Sequence, residues 1–338
     1  MFINFQESQQ QTITSAQAPA DTLKTSGKTE PQEENLFVRL LHHTQDSHEV
    51  ELPGTTVELP YLIFDDGSFH AYRNVESLKE QGIFTVQHEK VVRVSDGRSP
   101  QFDLSITKHV VFMWVAALIL IIAAFTAARK NRASRIPKGL GNLVEIFVVF
   151  IRDEILLPNM GRDGLRYLPY LLTTFFFILV MNLIGMIPYS STSTGNVNVT
   201  AGLAIIAFIM IQASAIRAQG FGRYLAHLTG GVPWILWPIM IPIEILGLFT
   251  KPFALCIRLF ANMTGGHIVI VSLIGMIFIF RSFVLAPVPI VFALGINMLE
   301  LFVAFLQAYI FTMLTSLFMG LGIQAAHAES ESHQEHSH

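Results

Sequence analysis

The sequence is poor in charged residues and in cysteine. Only 14% of its 338 residues are charged, whereas an ordinary soluble domain carries about a quarter. The single cysteine, Cys256, excludes an intramolecular disulfide framework and a cysteine-based zinc site. Between residues 165 and 322 the charged residues are Arg166, Arg217, Arg223, Glu244, Lys251, Arg258, Arg281 and Glu300. This deficit indicates a polytopic membrane protein with a polar N-terminal part.

The polar N-terminal part divides into two predicted segments. Residues 1–34 lack an apolar run that could bury a core, so we expect them to be disordered. They also lack the basic start and apolar stretch of a signal peptide. Residues 35–105 alternate short apolar runs with turn signals, which predicts a small β-rich domain. Asp65, Asp66 and Gly67 lie between two such runs and predict a hairpin.

Five apolar segments are long enough to cross a bilayer core about 30 Å thick. They are residues 109–128, 167–187, 201–216, 233–280 and 288–323. The last two are too long to stand upright, so we expect two long, tilted helices. Prolines within 233–280 favour a broken helix there. We therefore predict an all-α membrane domain over residues 106–323.

The distribution of basic residues predicts the orientation of the chain. A dense basic loop at 129–138 belongs on the cytoplasmic side, which places the N-terminal domain outside. Five crossings then leave the C-terminus inside, with residues 324–338 as a disordered cytoplasmic tail. Residues 139–157 are too polar to span, and we expect an amphipathic helix on the cytoplasmic surface.

The fourth apolar segment carries a stripe of polar residues. Glu244, Lys251 and Arg258 are spaced seven apart, so each lies about 20° from the one before around a helix. Asn262 follows Arg258 by one turn and extends the stripe, whereas His267 lies on a roughly opposite side. An arginine at membrane depth costs at least about 3 kcal/mol. Arg258 is therefore a functional candidate, with snorkelling to the interface as the alternative.

The last apolar segment adds Glu300 and Gln307, seven apart on one helix face. Carboxyl and imidazole groups exchange protons, and amides hydrogen-bond water. A guanidinium stays charged and cannot relay a proton, but it can separate two paths. These residues suggest a proton route with a charged divider. The alternative for His267 and Glu300 is a structural ion pair or hydrogen bond between two helices, and Asn262 and Gln307 could equally hold helices together.

Three stretches carry a resemblance to a known family. LCIRLFANMTGGH, preceded by EILGLFTKPF and followed by LQAYIFTMLTSLF, resembles the a subunit of the F-type ATP synthase, the membrane stator beside the rotating c-ring. The likeness covers about residues 105–328. It implies that Arg258 is the essential arginine, with Asn262, Gln307 and Glu244 at further family positions. His267 and Glu300 exchange the Glu and His of the best-known bacterial pattern.

By this resemblance, protons enter from outside through a half-channel lined by Asn262, His267, Glu300 and Gln307. They load a c-ring carboxylate and leave to the cytoplasm near Glu244. The implied partners are the c-ring, b-type peripheral stalk subunits, the catalytic head through the stalk, and membrane lipid, with no nucleic acid. The implied location is a bacterial inner membrane.

A catalytic role for the chain itself is not predicted. The sequence has no GxxxxGK[ST] phosphate loop, and we expect no cofactor. The subunit is therefore expected to move ions for a rotary enzyme without a nucleotide site of its own. The alternative function is a self-contained proton- or cation-coupled secondary transporter, although such proteins are typically built from two related halves and no repeat is evident here.

Overall fold

The computed structural model describes residues 48–52, 55–87, 90–133, 139–187, 190, 193–227, 234–280 and 287–335. All of them belong to one structural unit, Leu40–His338. Segment 1–34, predicted to be disordered, lies outside the described residues, as do parts of the 35–105 domain and of the basic loop at 129–138.

Short antiparallel strands precede the first long helix. They are β1 (Glu49–Leu52), β2 (Thr55–Glu58), β3 (Tyr61–Asp65), β4 (Ser68–Tyr72), β5 (Phe84–Gln87), β6 (Lys90–Arg93) and β7 (Phe102–Asp103), with helix α1 (Val75–Glu80) after β4. β1 pairs with β2, β5 pairs with β6, and β3 lies between β4 and β7. Alternate residues of β3 are buried, as expected for a strand with one face on a core. The small β-containing N-terminal region is thus confirmed.

The predicted hairpin joins β3 and β4. Asp66 and Gly67 both have positive φ, 47° and 76°, which matches the Asp-Gly turn whose twist suits a two-residue hairpin. Arg93 from β6 closes over this turn. It forms ion pairs with Asp65 and, at 2.9 Å, with Asp66. The Arg93 hydrogen bond holds the pKa of Asp65 below its usual value.

Helices make up nearly all of the rest of the described chain. They are α2 (Lys108–Ala133), α3 (Leu140–Phe150), α4 (Leu157–Met160), α5 (Leu168–Gly185), α6 (Val197–Gln219), α7 (Phe221–His227), α8 (Trp237–Phe280) and α9 (Pro287–Glu335). Five segments within the described residues are long and apolar enough to cross a membrane: Lys108–Arg129, Arg162–Gly185, Val197–Gln219, Trp237–Met276 and Pro287–Gln324. The mostly helical membrane part is therefore confirmed.

The prediction of a broken fourth helix is wrong. α8 is one continuous helix of 44 residues, with Pro242 and Pro252 inside it. α8 packs against both α6 and α9. Neighbouring helices and local adjustment satisfy the backbone groups that a proline leaves open in a membrane helix.

The last helix continues beyond its predicted membrane span, which agrees with the observed segment Pro287–Gln324. α9 was expected to stop near residue 323 before a disordered tail, but it continues to Glu335. The added residues are rich in alanine, glutamate and glutamine, which have high helix propensity. The composition that indicated disorder is thus also compatible with extending an existing helix, which needs no new nucleation.

The segment predicted as an amphipathic surface helix has a more irregular structure. α3 leads into a π-helical turn, Ile151–Leu156, and then into α4. Ile151, Ile155 and Leu156 are fully buried in the main core. The Phe147 ring contacts that of Phe175 at 5.4 Å between centroids. The segment is therefore packed against the helices, and its place on the cytoplasmic surface stays a prediction.

Close backbone contacts fix the second half of α9. A Cβ on Gly320 would collide with the carbonyl oxygen of Asn159, and one on Gly322 would lie 2.7 Å from Cβ of Ala215. Gln219 also donates to the carbonyl oxygen of Gly322 at 2.7 Å. Small residues permit such close approach between membrane helices. α9 is thus held by α4 and α6 and gives a fixed support for the polar residues of α8.

Candidate functional site

The candidate site lies between α8 and α9, which pack antiparallel. A Cβ on Gly266 would lie 3.2 Å from both Cδ and Oε1 of Glu300, so this carboxyl group rests against the α8 backbone. Further along, Asn262 meets Gln307. At the other end Lys251 Nζ lies 4.9 Å from the centre of the Phe318 ring. These three contacts define the register between the helices.

An amide pair lies one turn of α8 beyond Arg258. Asn262 Nδ2 donates to Gln307 Oε1 at 2.9 Å. Gln307 is only 3% exposed, whereas Asn262 is exposed. Gln307 Nε2 is buried and has no hydrogen-bond partner among the described residues. The pair therefore reaches from the helix interface to the surface and retains an unused buried donor.

Arg258 itself is half-buried, and no described residue forms an ion pair or hydrogen bond with it. Its nearest turns on α8 carry the exposed small residues Ala254, Ala261 and Gly265. In the register of the helix pair, Arg258 lies level with Phe311, which is buried. The guanidinium is thus not neutralised inside the described part of the chain, and small neighbours leave room for another helix to approach it.

The two acidic residues lie in opposite directions from Arg258 along α8. Glu300, 4% exposed, is level with Gly266, eight residues or about 12 Å beyond Arg258. Glu244, half-buried, lies fourteen residues or about 21 Å before it. The two carboxyl groups are therefore separated by about the thickness of a bilayer core, with Arg258 between their levels.

Glu244 has a polar neighbourhood at the end of α6 and in α7. Burial, and then the charge of Glu244, raise the pKa of Tyr224. The Tyr224 hydroxyl donates to Gln212 Oε1 at 2.5 Å. Tyr224 and Gln212 were not identified from the sequence, since an isolated tyrosine and glutamine near a helix end are common.

A second polar group missed from the sequence surrounds the 3-10 turn Ser193–Gly195. Thr194 Oγ1 donates to Asn182 Oδ1 at 2.8 Å, and Asn182 Nδ2 donates to the Ala304 carbonyl oxygen at 3.3 Å. Thr264 Oγ1 on α8 donates to the Gly195 carbonyl oxygen at 3.4 Å. The turn thus ties α5, α8 and α9 together one turn of α9 from Glu300. An asparagine inside an apolar span was the available signal.

The predicted site residues are only partly brought together. Asn262 and Gln307 are in contact, and Glu300 lies at the same helix interface. Arg258 lies one turn of α8 before Asn262 but forms no described hydrogen bond with that group, and Glu244 lies a further fourteen residues away. His267 is in the α8 helix directly after Gly266, but its side chain is outside the described part of the structure. Its predicted approach to Glu300 stays a prediction.

The helical part of the chain is similar in sequence to a known protein family. A profile of the family "ATP synthase A chain" matches residues 110–320. The ATP synthase subunit a of Chloroherpeton thalassium is 55% identical over 240 residues, 70% of this chain and 71% of the relative. That of Myxococcus xanthus is 46% identical over 293 residues, covering 86% and 92%.

The similarity extends into the N-terminal region in some relatives. The ATP synthase subunit a of Anaeromyxobacter dehalogenans strain 2CP-C is 44% identical over 325 residues, 94% of this chain and 78% of the relative. Because the match covers 94% of this chain, it must include most of the β-containing region. The alternative of a secondary transporter receives no support from these matches. The chain belongs to the ATP synthase A chain family, the multi-pass membrane a subunits of F-type ATP synthases.

Proposed function

We propose that this subunit carries protons to and from a rotating c-ring through two offset half-channels, with Arg258 as the divider between them. The observation that supports this most directly is the arrangement along α8. A half-buried guanidinium without a described partner lies between the levels of two carboxyl groups. Because an unpaired arginine is costly at membrane depth, we expect its partner to come from another chain.

The proposed inlet is lined by Asn262, His267, Glu300 and Gln307. The Glu300 carboxyl group and the His267 imidazole can each take up and release a proton. The amides of Asn262 and Gln307 both donate and accept hydrogen bonds, so they suit either protonation state of a neighbour or of water. The buried, unused Nε2 donor of Gln307 is available for such a water. The path leads along α8 from Glu300 towards Arg258.

The proposed outlet runs near Glu244, on the other side of Arg258. A proton cannot pass the guanidinium by transfer, because arginine does not deprotonate in proteins. The positive charge favours the ionised form of a c-ring carboxylate as that carboxylate arrives, which promotes release of its proton to the outlet. The exposed Ala254, Ala261 and Gly265 allow the ring helix to come close. Protons therefore travel round with the ring, and rotation is coupled to the flow.

We also propose the partners and the orientation of the chain. The c-ring lies against the Arg258 face of α8, b-type stalk subunits hold the chain in place, and the stalk connects it to the catalytic head. Residues 106–323 form the proton-channel domain in a bacterial inner membrane. The N-terminal domain lies outside, and the C-terminus is in the cytoplasm, as the basic loop at 129–138 favours.

The decisive experiment substitutes Arg258 in the assembled enzyme. Arg258→Ala should abolish ATP-driven proton pumping into inverted vesicles, measured with a pH-sensitive dye, and should leave a passive proton leak. Arg258→Lys keeps the charge but loses the planar fork, so it should be severely impaired. Lys251→Ala is the matched control on the same stripe and should retain pumping. Normal coupled pumping in Arg258→Ala vesicles would refute the proposal.

A further inference from the structure

The sheet formed by β4, β3 and β7 has two unlike faces. One covers the small domain core with Tyr61, Ile63 and Tyr72, each at most 3% exposed. Cross-strand partners share a face, so the registers define the residues on the opposite side. That outer face consists of Leu62, Phe64, Phe69, Ala71, Phe102 and Leu104.

The outer face is apolar and open. Phe69, Phe102 and Leu104 are 61%, 64% and 59% exposed. The rings of Phe64 and Phe102 approach with centroids 6.5 Å apart, so the patch is continuous across β3 and β7. None of its six members is charged. A contiguous exposed apolar patch of this kind marks a contact with a protein or a membrane.

The sheet is joined to the first membrane helix without a free linker. Beyond β7, Leu104 N donates to the Leu62 carbonyl oxygen at 2.9 Å, and Ile106 N donates to that of Pro60 at 3.2 Å. α2 begins at Lys108, two residues later. Leu104 is therefore at most about 14 Å of extended chain from the start of α2.

α2 is buried at its first two residues, Lys108 and His109, and is mostly exposed from Trp114 onwards. Only 6% of its most apolar window is buried in the protein. Trp114, in the second turn, is 63% exposed, and exposed tryptophans are enriched at the level of the lipid headgroups. The bilayer surface therefore lies near the first turns of α2, within reach of the outer face.

We propose that the outer face rests on the membrane interface, with Phe69, Phe102 and Leu104 in contact with lipid. Lipid is the occupant that the observations favour, because the exposed apolar surface of the adjoining membrane helix begins in its second turn, at Trp114, and because lipid needs no hydrogen-bonding groups from the face. The β-containing domain is then held against the lipid surface next to the membrane helices. The inference holds for either orientation of the chain, so it is independent of the proposed proton route.

Spin-label accessibility in the assembled enzyme, reconstituted in lipid vesicles, tests this contact. A nitroxide is attached to Phe69→Cys, Phe102→Cys or Leu104→Cys, one at a time. The native Cys256 is buried, and the unsubstituted chain serves as the labelling blank. We expect collisions with oxygen, which concentrates in the bilayer, to exceed collisions with a water-soluble nickel complex at all three positions. Arg98→Cys is the solvated control, since that side chain is 86% exposed, and it should show the reverse.

Two results would overturn the inference. Nickel collisions as frequent as at Arg98→Cys would show that the face is in water. Low collision rates with both reagents would show that a protein partner covers it. Because the three labelled positions lie on two strands and on the chain beyond β7, assembly of any one variant is sufficient for the measurement.

Discussion

The amide pair between α8 and α9 provides a quantitative test of the site. Asn262 donates to Gln307 at 2.9 Å, and Gln307 is the buried partner. Asn262→Leu therefore leaves the whole Gln307 amide unpaired in the interior, which is the costly situation for a buried polar group. Gln307→Leu instead removes the buried amide together with its unused donor and leaves Asn262 exposed on the proposed inlet, where water can hydrogen-bond its amide. The two substitutions should thus have unequal effects.

The expected magnitude follows from hydrogen bonds between membrane helices. Such bonds contribute about 0.6 kcal/mol on average and at most about 1.7 kcal/mol. These values are smaller than the full cost of an unpaired buried polar group, because the unfolded helices also find hydrogen-bond partners in the membrane. Asn262→Leu should lower the free energy of unfolding by that amount, about 3- to 18-fold in the equilibrium constant. Gln307→Leu should change it by less than about 0.5 kcal/mol, and the double variant should resemble Gln307→Leu.

Unfolding of the purified subunit in mixed micelles, followed by ellipticity as the denaturing detergent fraction rises, measures these differences. Thr250→Val is the matched control, because the Thr250 hydroxyl donates to the Leu246 carbonyl oxygen in its own helix. Equal losses for Asn262→Leu and Gln307→Leu, with the double variant equal to their sum, would refute the proposed asymmetry. It would also remove the argument that Gln307 has a donor available for water.

Three further predictions concern the exchanged pair, the orientation and the β region. The double swap His267→Glu with Glu300→His should retain more proton flux in vesicles than either single swap; lower flux in the double would contradict a shared proton site. A cysteine at the exposed Ser68 should react with an impermeant thiol reagent from outside cells with a permeabilised outer membrane, and labelling only after the inner membrane is broken would reverse the topology. Arg93 lowers the pKa of Asp65 in the folded protein. The contribution of ionised Asp65 to the stability of the β region is therefore complete above the ordinary pKa of 3.8, and it is lost as the pH falls through the lower pKa of the folded state. Limited proteolysis of the β region should therefore accelerate below that pH, and Asp65→Asn should remove this dependence.

Local features of the fold were predictable from the sequence because short-range chemistry determines them. An Asp-Gly pair between two apolar runs can supply two positive φ angles, and the hairpin formed there. Spans follow from hydropathy, since unsatisfied backbone groups cannot remain in hydrocarbon. The prolines of α8 were misleading for the same local reason. Pro242 and Pro252 weaken a helix in isolation, but the contacts of α8 with α6 and α9 are not visible in the sequence.

The site was predictable as a set of faces but not as a set of contacts. The seven-residue spacing placed Glu300 and Gln307 in one helix, and the four-residue spacing placed Arg258 with Asn262 in another. Which residues meet depends on the register between α8 and α9, and hydrophobic periodicity does not determine an axial offset. That offset is what pairs Asn262 with Gln307 and sets Glu300 against Gly266.

The register gives a physical reason why an acid and an imidazole can change places between these helices. Gly266 has no side chain, so the Glu300 carboxyl group reaches the α8 backbone at the level where position 267 begins. A group at 267 and a group at 300 therefore belong to one level of the helix interface, whichever helix carries the acid. Because both groups stay at this level, the distance along α8 from this level to Arg258 remains about 12 Å after an exchange. If Arg258 is the divider and this level belongs to the inlet, as proposed above, the two keep their spacing, and the presence of both groups matters more than which position carries each.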